Sequence, residues 1–275
     1  MKDLFAHPVS WAKVVRICAA AFLSCISVTV LGCGSGTNTP TAPPAPLSGN
    51  WQITLLRVAN PVPLTYTGFL QQAGGSITGA LILGDGCAGV GPVNGTLNGQ
   101  DLQLDVNEFG QDLTLTGTLA SNGAAGLGGQ FSTLSGGCSD ASTGSWSAIL
   151  IKPLTGNFHG TLTSQATPSN GTLDVTGTFT QGPNIGSSNA TLSGTMTTSS
   201  VPPFCSYVPT ASITGVISGT AVILNVFGPD GTQLNSVPIS ATITTNGASL
   251  TATYTFQSMS KACPGDTGIL QLSFP

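Results

Sequence analysis

The chain has 275 residues, room for one to three domains, and only 6% of them are charged. Six Lys/Arg stand against ten Asp/Glu, a formal net charge of −4, which excludes the clustered basic surface that nucleic acid requires. Apolar residues make up 40% and fall in alternating runs with Thr and Ser, which excludes a disordered chain and leaves a surface of neutral hydroxyls and amides.

The first element is a leader. Lys2, Lys13 and Arg16 supply a positive flank, and an apolar core of about 15 residues runs from Ile17 to Leu31. That core is too short for a spanning helix. It ends in Val30-Leu31-Gly32-Cys33, which resembles the bacterial lipobox. The resemblance implies that residues 1–32 are a lipoprotein signal peptide, cut before Cys33, whose thiol is acylated. Leu31 is bulkier than is usual at its position. Gly34 follows Cys33 rather than Asp, which in lipoproteins implies the outer membrane. Residues 33–46 continue as a Gly/Ser and then Pro-rich tether with no core-forming residues. Several acyl chains hold firmly, because each buried CH₂ contributes about 0.8 kcal/mol. After such a cut three basic residues, Arg57, Lys152 and Lys261, face nine acids, a formal charge of −6. A polybasic membrane patch is thereby excluded.

Beyond the tether the chain repeats itself. Leu47-Ser48-Gly49-Asn50-Trp51 returns as Leu154-Thr155-Gly156-Asn157-Phe158, and Cys87 and Cys138 have counterparts in Cys205 and Cys263. The offset between copies grows along the chain, which means loop insertions in the second copy. Residues 47–151 and 154–275 are therefore expected to be two domains of one kind, joined through Lys152-Pro153.

Alternation predicts eight strands in the first copy, over 51–57, 65–72, 76–83, 89–97, 101–107, 112–119, 126–134 and 143–151. Leu102/Leu104/Val106 share one face, while Gln103/Asp105 take the other. The second copy repeats the pattern with Leu173/Val175/Phe179, Val222/Leu224/Val226, Leu250/Ala252/Tyr254/Phe256 and Leu270/Leu272/Phe274. Asn98-Gly99, Asn122-Gly123 and Asn246-Gly247 fit two-residue hairpins. Eight sequential strands with short turns predict an all-β chain of two tandem antiparallel up-and-down eight-stranded β-barrels, with β-sandwiches as the alternative. Gly49-Asn50-Trp51 resembles the G-x-W opening of lipocalins and the similar start of avidins. The resemblance implies that Trp51, and Phe158 in the second copy, plug one end of each barrel. It covers three residues, and the later lipocalin motifs are missing.

Cys18 and Cys25 lie in the leader, which leaves four cysteines in an exported chain. Four cysteines allow three pairings, and the repeat selects Cys87–Cys138 and Cys205–Cys263. Each bridge closes roughly 50 to 60 residues, worth about 4 kcal/mol in the chain-entropy model. In an up-and-down barrel these cysteines fall in the third-to-fourth and seventh-to-eighth strand connections, at one end. A disulfide needs Cα atoms within about 7 Å, so a loop has to fold across the mouth as a lid. Arg57, Asp85, Glu108 and Asp140 are then expected around the first mouth. The plainer reading of each bridge is a stability staple.

Little else in the sequence carries chemistry. His159 is the sole histidine after the leader and has no acid beside it. Asp101 and Asp105 share a strand face that meets solvent. Asp105-Val106-Asn107-Glu108-Phe109-Gly110 lacks the closing glutamate of a calcium loop. No catalytic residue, metal ligand or cofactor is expected. The first functional expectation is a membrane-anchored envelope lipoprotein that binds a small apolar or glycan-like ligand in a barrel mouth. The alternative is a structural or adhesive lipoprotein that contacts an envelope protein or polysaccharide. Bulky inward side chains favour the second, and Gly, Ala and Thr inward favour the first. An outer-membrane barrel is disfavoured by the missing aromatic girdles.

Overall fold

The structure is a computed structural model that describes residues 47–83, 89–108, 110–119, 126–134, 141–167, 169, 171–183, 188–199, 210–257 and 265–275. The leader, Cys33, the tether, the four cysteines expected to pair, Asp85, Asp140 and Asn122-Gly123 lie outside the described residues.

Two closed eight-stranded antiparallel barrels follow one another along the chain. The first is built from β1 (Gly49–Arg57), β2 (Leu64–Ala73), β3 (Ser76–Ile82), β4 (Val90–Asn98), β5 (Asp101–Glu108), β6 (Gln111–Leu119), β7 (Gly126–Thr133) and β8 (Ser142–Ile151). The second comprises β9 (Gly156–Ser164), β10 (Thr172–Gln181), β11 (Ala190–Thr198), β12 (Thr210–Ser218), β13 (Ala221–Phe227), β14 (Ile239–Ile243), β15 (Ser249–Phe256) and β16 (Asp266–Ser273). Each strand pairs with the next in sequence, and β1 closes on β8 as β9 closes on β16. Closure excludes the sandwich alternative.

The predicted strands stand within two residues of their places, because the residues that alternate in sequence alternate across the sheet. Leu102, Leu104 and Val106 point inward and are buried, while Gln103 and Asp105 point outward. The hairpin prediction needs correction. Asn98 pairs with Asp101, so the loop residues of β4–β5 are Gly99 and Gln100, with φ 63° at Gly99. The glycine takes the first turn position, one place earlier than an Asn-Gly loop puts it. Around Asn246-Gly247 the backbone of Thr244 bonds Ser249, and Asn246 accepts the Thr244 hydroxyl, making a longer loop.

Chain entry and exit, with the β2–β3, β4–β5 and β6–β7 connections, share one end of barrel 1, the near end. The other connections share the far end, as do their counterparts in barrel 2. Among the described residues, bulky inward side chains are buried in both barrels. Trp51, Leu55, Leu81, Leu104, Leu115, Phe131 and Trp146 are buried in one core cluster; Phe158, Phe179, Leu224, Leu250, Tyr254 and Leu272 are buried in the other. Leu104→Ala should therefore lower unfolding stability by about 2–5 kcal/mol in a urea titration. A loss well under 1 kcal/mol would mean that the first barrel holds free space.

Candidate functional site

Three regions carry the polar and aromatic groups of interest. The first is the near end of each barrel, where β1 and β9 begin. Trp51 is buried two residues into β1, its Nε1 donating to the Leu47 carbonyl at 2.8 Å. Phe158 holds the same place in β9. Its ring lies 5.1 Å from Phe179 and 6.1 Å from Phe274, centroid to centroid. Gly177 permits this: a Cβ there would stand 2.5 Å from Phe158 Cζ. Both resemblance-derived residues thus sit inside, close to the chain's point of entrance.

The second region is the far end. Of the four residues expected around the first mouth, Arg57 ends β1 and Glu108 ends β5, so both backbone positions are at the far end. Arg57 Nε is buried without a hydrogen bond among the described residues. The Glu108 side chain, like Asp85 and Asp140, lies outside the described residues. In the second barrel this end contains a polar cluster that strand alternation did not reveal. Asp266 opens β16 with its carboxylate turned inward and buried. It accepts the Ser164 hydroxyl at 2.7 Å and the Tyr254 hydroxyl at 2.7 Å. Burial raises the Tyr254 phenol well above its ordinary range, and the bond to Asp266 and that carboxylate's charge add to the effect. Nearby, the buried Asn235 accepts from the Val226 amide at 2.7 Å and donates to the Val237 carbonyl at 2.7 Å. That bond pair fixes the long β13–β14 connection as part of the wall. A signal for Asp266 existed in its parity with Leu270 and Leu272, which puts a carboxylate on an inward position.

The remaining candidates are on outer faces. His159 is exposed on β9. Asp101 is exposed, and Asp105 accepts from Thr114 Oγ1 at 2.9 Å and Gln103 Nε2 at 3.0 Å. These are ladders of side chains along a solvated sheet, with no base beside a nucleophile. Among the described residues no three His, Cys, Asp or Glu side chains come together.

The third region joins the barrels, and no sequence signal was read for it. Asn50 points outward from β1 yet is buried. Its Nδ2 donates to the Gly219 carbonyl at 2.8 Å, and its Oδ1 accepts the Gly219 amide at 2.6 Å. Thr67 Oγ1 meets Ser218 Oγ at 3.2 Å, and Thr220 Oγ1 donates to Gln52 Oε1 at 3.2 Å. Phe69 points outward from β2 and Ile151 outward from β8, and both are buried in the second barrel's core cluster. Barrel 1 therefore seals the near end of barrel 2. In sequence Phe69 is only an aromatic at an outward parity, which a scattered surface aromatic also is. At the corresponding face of barrel 2, Asn157, His159, Thr176, Thr178 and Pro275 line an open groove of about 540 Å³.

No family model matches the chain, and no curated protein matches it. Solved structures with similar chains include intact Ap-TbpB, with N and C lobes, at 13% identity and a TM-score of 0.25. That match covers 81% of this chain and 45% of that one. Another is a double mutant of the vaccine antigen transferrin binding protein B (TbpB) from Haemophilus parasuis Hp5, at 13% identity and a TM-score of 0.24. It covers 76% of this chain and 52% of that one. The chain thus spans about half the length of the structures it matches, and at these scores the likeness assigns it no partner.

Tyr254 yields a test of the far-end cluster. A phenol whose folded pKa lies above its unfolded value of 10.0 contributes stability that is complete below pH 10 and is lost as the pH climbs past it. Tyr254→Phe should remove that alkaline loss. At neutral pH it should cost about 1–3 kcal/mol, because the buried Asp266 carboxylate loses a donor. Both effects are readable from thermal unfolding at neutral pH and above pH 10, and an unchanged alkaline slope contradicts the assignment.

Proposed function

We propose that this chain is an exported envelope lipoprotein, anchored to the membrane through Cys33, that binds without catalysis. In this reading the outer faces of its two barrels contact an envelope protein or polysaccharide. The filled interiors carry the proposal. A small ligand inside an eight-stranded barrel needs space beside small inward residues; here Trp, Phe, Leu, Ile and Tyr are buried inward, and the space over inward glycines is taken by rings, a Cβ on Gly117 standing 3.0 Å from Trp146 Cζ2 and one on Gly144 2.6 Å from Phe131 Cε1. The outward positions hold Thr, Ser, Asn and Gln, neutral groups that suit a hydroxyl-rich or amide-rich partner. Residues 47–151 and 154–275 act as two domains, each with its own core. Cys87–Cys138 and Cys205–Cys263 staple the far ends.

Native mass spectrometry of the purified protein tests the choice of outer face over interior. The expected spectrum shows the polypeptide with its lipid and no further small molecule. A stoichiometric co-purifying ligand lost on unfolding overturns the reading. Anchoring has its own test: Cys33→Ser should abolish palmitate labelling and release the protein from membranes, and retained labelling in that variant refutes the anchor.

A further inference from the structure

The contact between the barrels uses two unlike surfaces. Barrel 1 supplies the outer face of β1–β2, with Asn50, Gln52, Thr67 and Phe69. Barrel 2 supplies its near end and the β12–β13 turn, where Ser218 pairs with Ala221 around Gly219 and Thr220. Because the barrels are repeats, each also carries the surface that the other is using.

The strand registers make the correspondence explicit. Asn50 lies opposite Phe69 and Gln52 opposite Thr67; in barrel 2, Asn157 lies opposite Thr178 and His159 opposite Thr176. Ile151 beside Asn50 corresponds to Pro275. Asn157, His159, Thr176 and Thr178 are all exposed, and with Pro275 they line the open groove. The spare turn is on barrel 1. Gly99, with φ 63°, matches Gly219, with φ 55°, and the space beyond Gly99 is open where Gly219 abuts Thr67.

The core behind the spare turn is also less covered. Leu97 is 8% exposed, whereas Ile217 at the same position of barrel 2, beneath the docked turn, is 0% exposed. Among the described residues one chain therefore holds an open face and an open turn that match a contact it already makes.

We propose that a second copy of this chain completes the pair: the Asn98–Asp101 turn of one chain's barrel 1 seats in the Asn157 groove on the next chain's barrel 2. The Asn157 amide donates to the Gly99 carbonyl and accepts the Gly99 N–H, as Asn50 does with Gly219. His159 stands opposite Gln100, where Gln52 meets Thr220. The surfaces are unlike, so association continues head to tail instead of stopping at a symmetric dimer. Thr178 replaces the Phe69 ring, so the contact between chains is weaker than the one within a chain and reverses on dilution. This proposal does not depend on the anchor.

Sedimentation velocity of the full exported chain carrying Cys33→Ser tests it. The average mass should rise with concentration past the dimer. Gly99→Asn places its Cβ in open space and Asn tolerates the left-handed turn, so the fold survives. At the docked counterpart, Gly219, a Cβ would stand 2.4 Å from Thr67 Cγ2, so the same change at Gly99 blocks seating against Thr176. Thr176→Lys blocks the groove instead. Each variant alone should stay monomeric, and their mixture should form a dimer that grows no further, one intact face meeting one intact turn. Asn157→Ala should weaken association about tenfold, and Thr178→Phe should strengthen it about tenfold by restoring the ring. A chain that stays monomeric at every concentration overturns the proposal. So do single variants that associate like the original, or a mixture that remains monomeric.

Discussion

Closure of β1 on β8, and of β9 on β16, is the constraint on which the rest of this molecule depends. Sheet edges invite pairing with other chains, and proteins commonly blunt them with lysine or inward charges. A chain with 6% charged residues has little means to do so. Closure removes the edges outright and lets Thr, Ser and Asn cover the outside without risk of edge-to-edge growth. It also fixes which side of every strand faces the core. An eight-stranded barrel is just wide enough for its own side chains, so the large inward residues fill it and the outside is left as the working surface.

The departures from that inside–outside rule mark where the structure does more than fold. Phe69, Asn50 and Ile151 are outward and buried, because a second barrel lies against them. Asp266, Ser164 and Tyr254 are inward and polar, and they satisfy one another. An unpaired carboxylate there would be costly in so apolar an interior; two hydroxyl donors make it tolerable. The Asn50 amide serves the junction in the same way. It bonds both backbone groups of Gly219, a turn residue whose N–H and C=O would otherwise be covered and unsatisfied.

Strand order and closure were legible because Thr, Val, Leu and Ile alternate with period two over most of each copy, as at Leu102/Leu104/Val106. The turn was misplaced by one residue at Asn98-Gly99, since dipeptide preference does not fix which residues pair across the hairpin; Asn98 belongs to the ladder. The inward, buried positions of Trp51 and Phe158 follow from where β1 and β9 begin. That Arg57 and Glu108 share one end was legible as backbone position, because strand parity fixes the end at which β1 and β5 finish. The junction between barrels was not. It depends on two distant outward faces, and nothing local distinguishes the Phe69 that meets another barrel from a scattered surface aromatic.

Duplication conserved the backbone of the repeat more closely than its surface. Gly68 stands opposite Trp51 as Gly177 stands opposite Phe158, so the register of ring against glycine at the near end is the same in both barrels. On the outer side of the same strands, Phe69 and Ile151 correspond to Thr178 and Pro275. The larger apolar pair is where a neighbouring barrel of the same chain covers it; Thr178 and Pro275 are where solvent reaches. An exposed phenylalanine at position 178 would add apolar surface beside an open groove, whereas threonine keeps the groove wettable while the Asn157 amide remains in place. A glycine turn of one shape and an asparagine on the facing strand are thus present twice, at Gly99 and Gly219 and at Asn50 and Asn157, and the ring at Phe69 is what only the covered copy has.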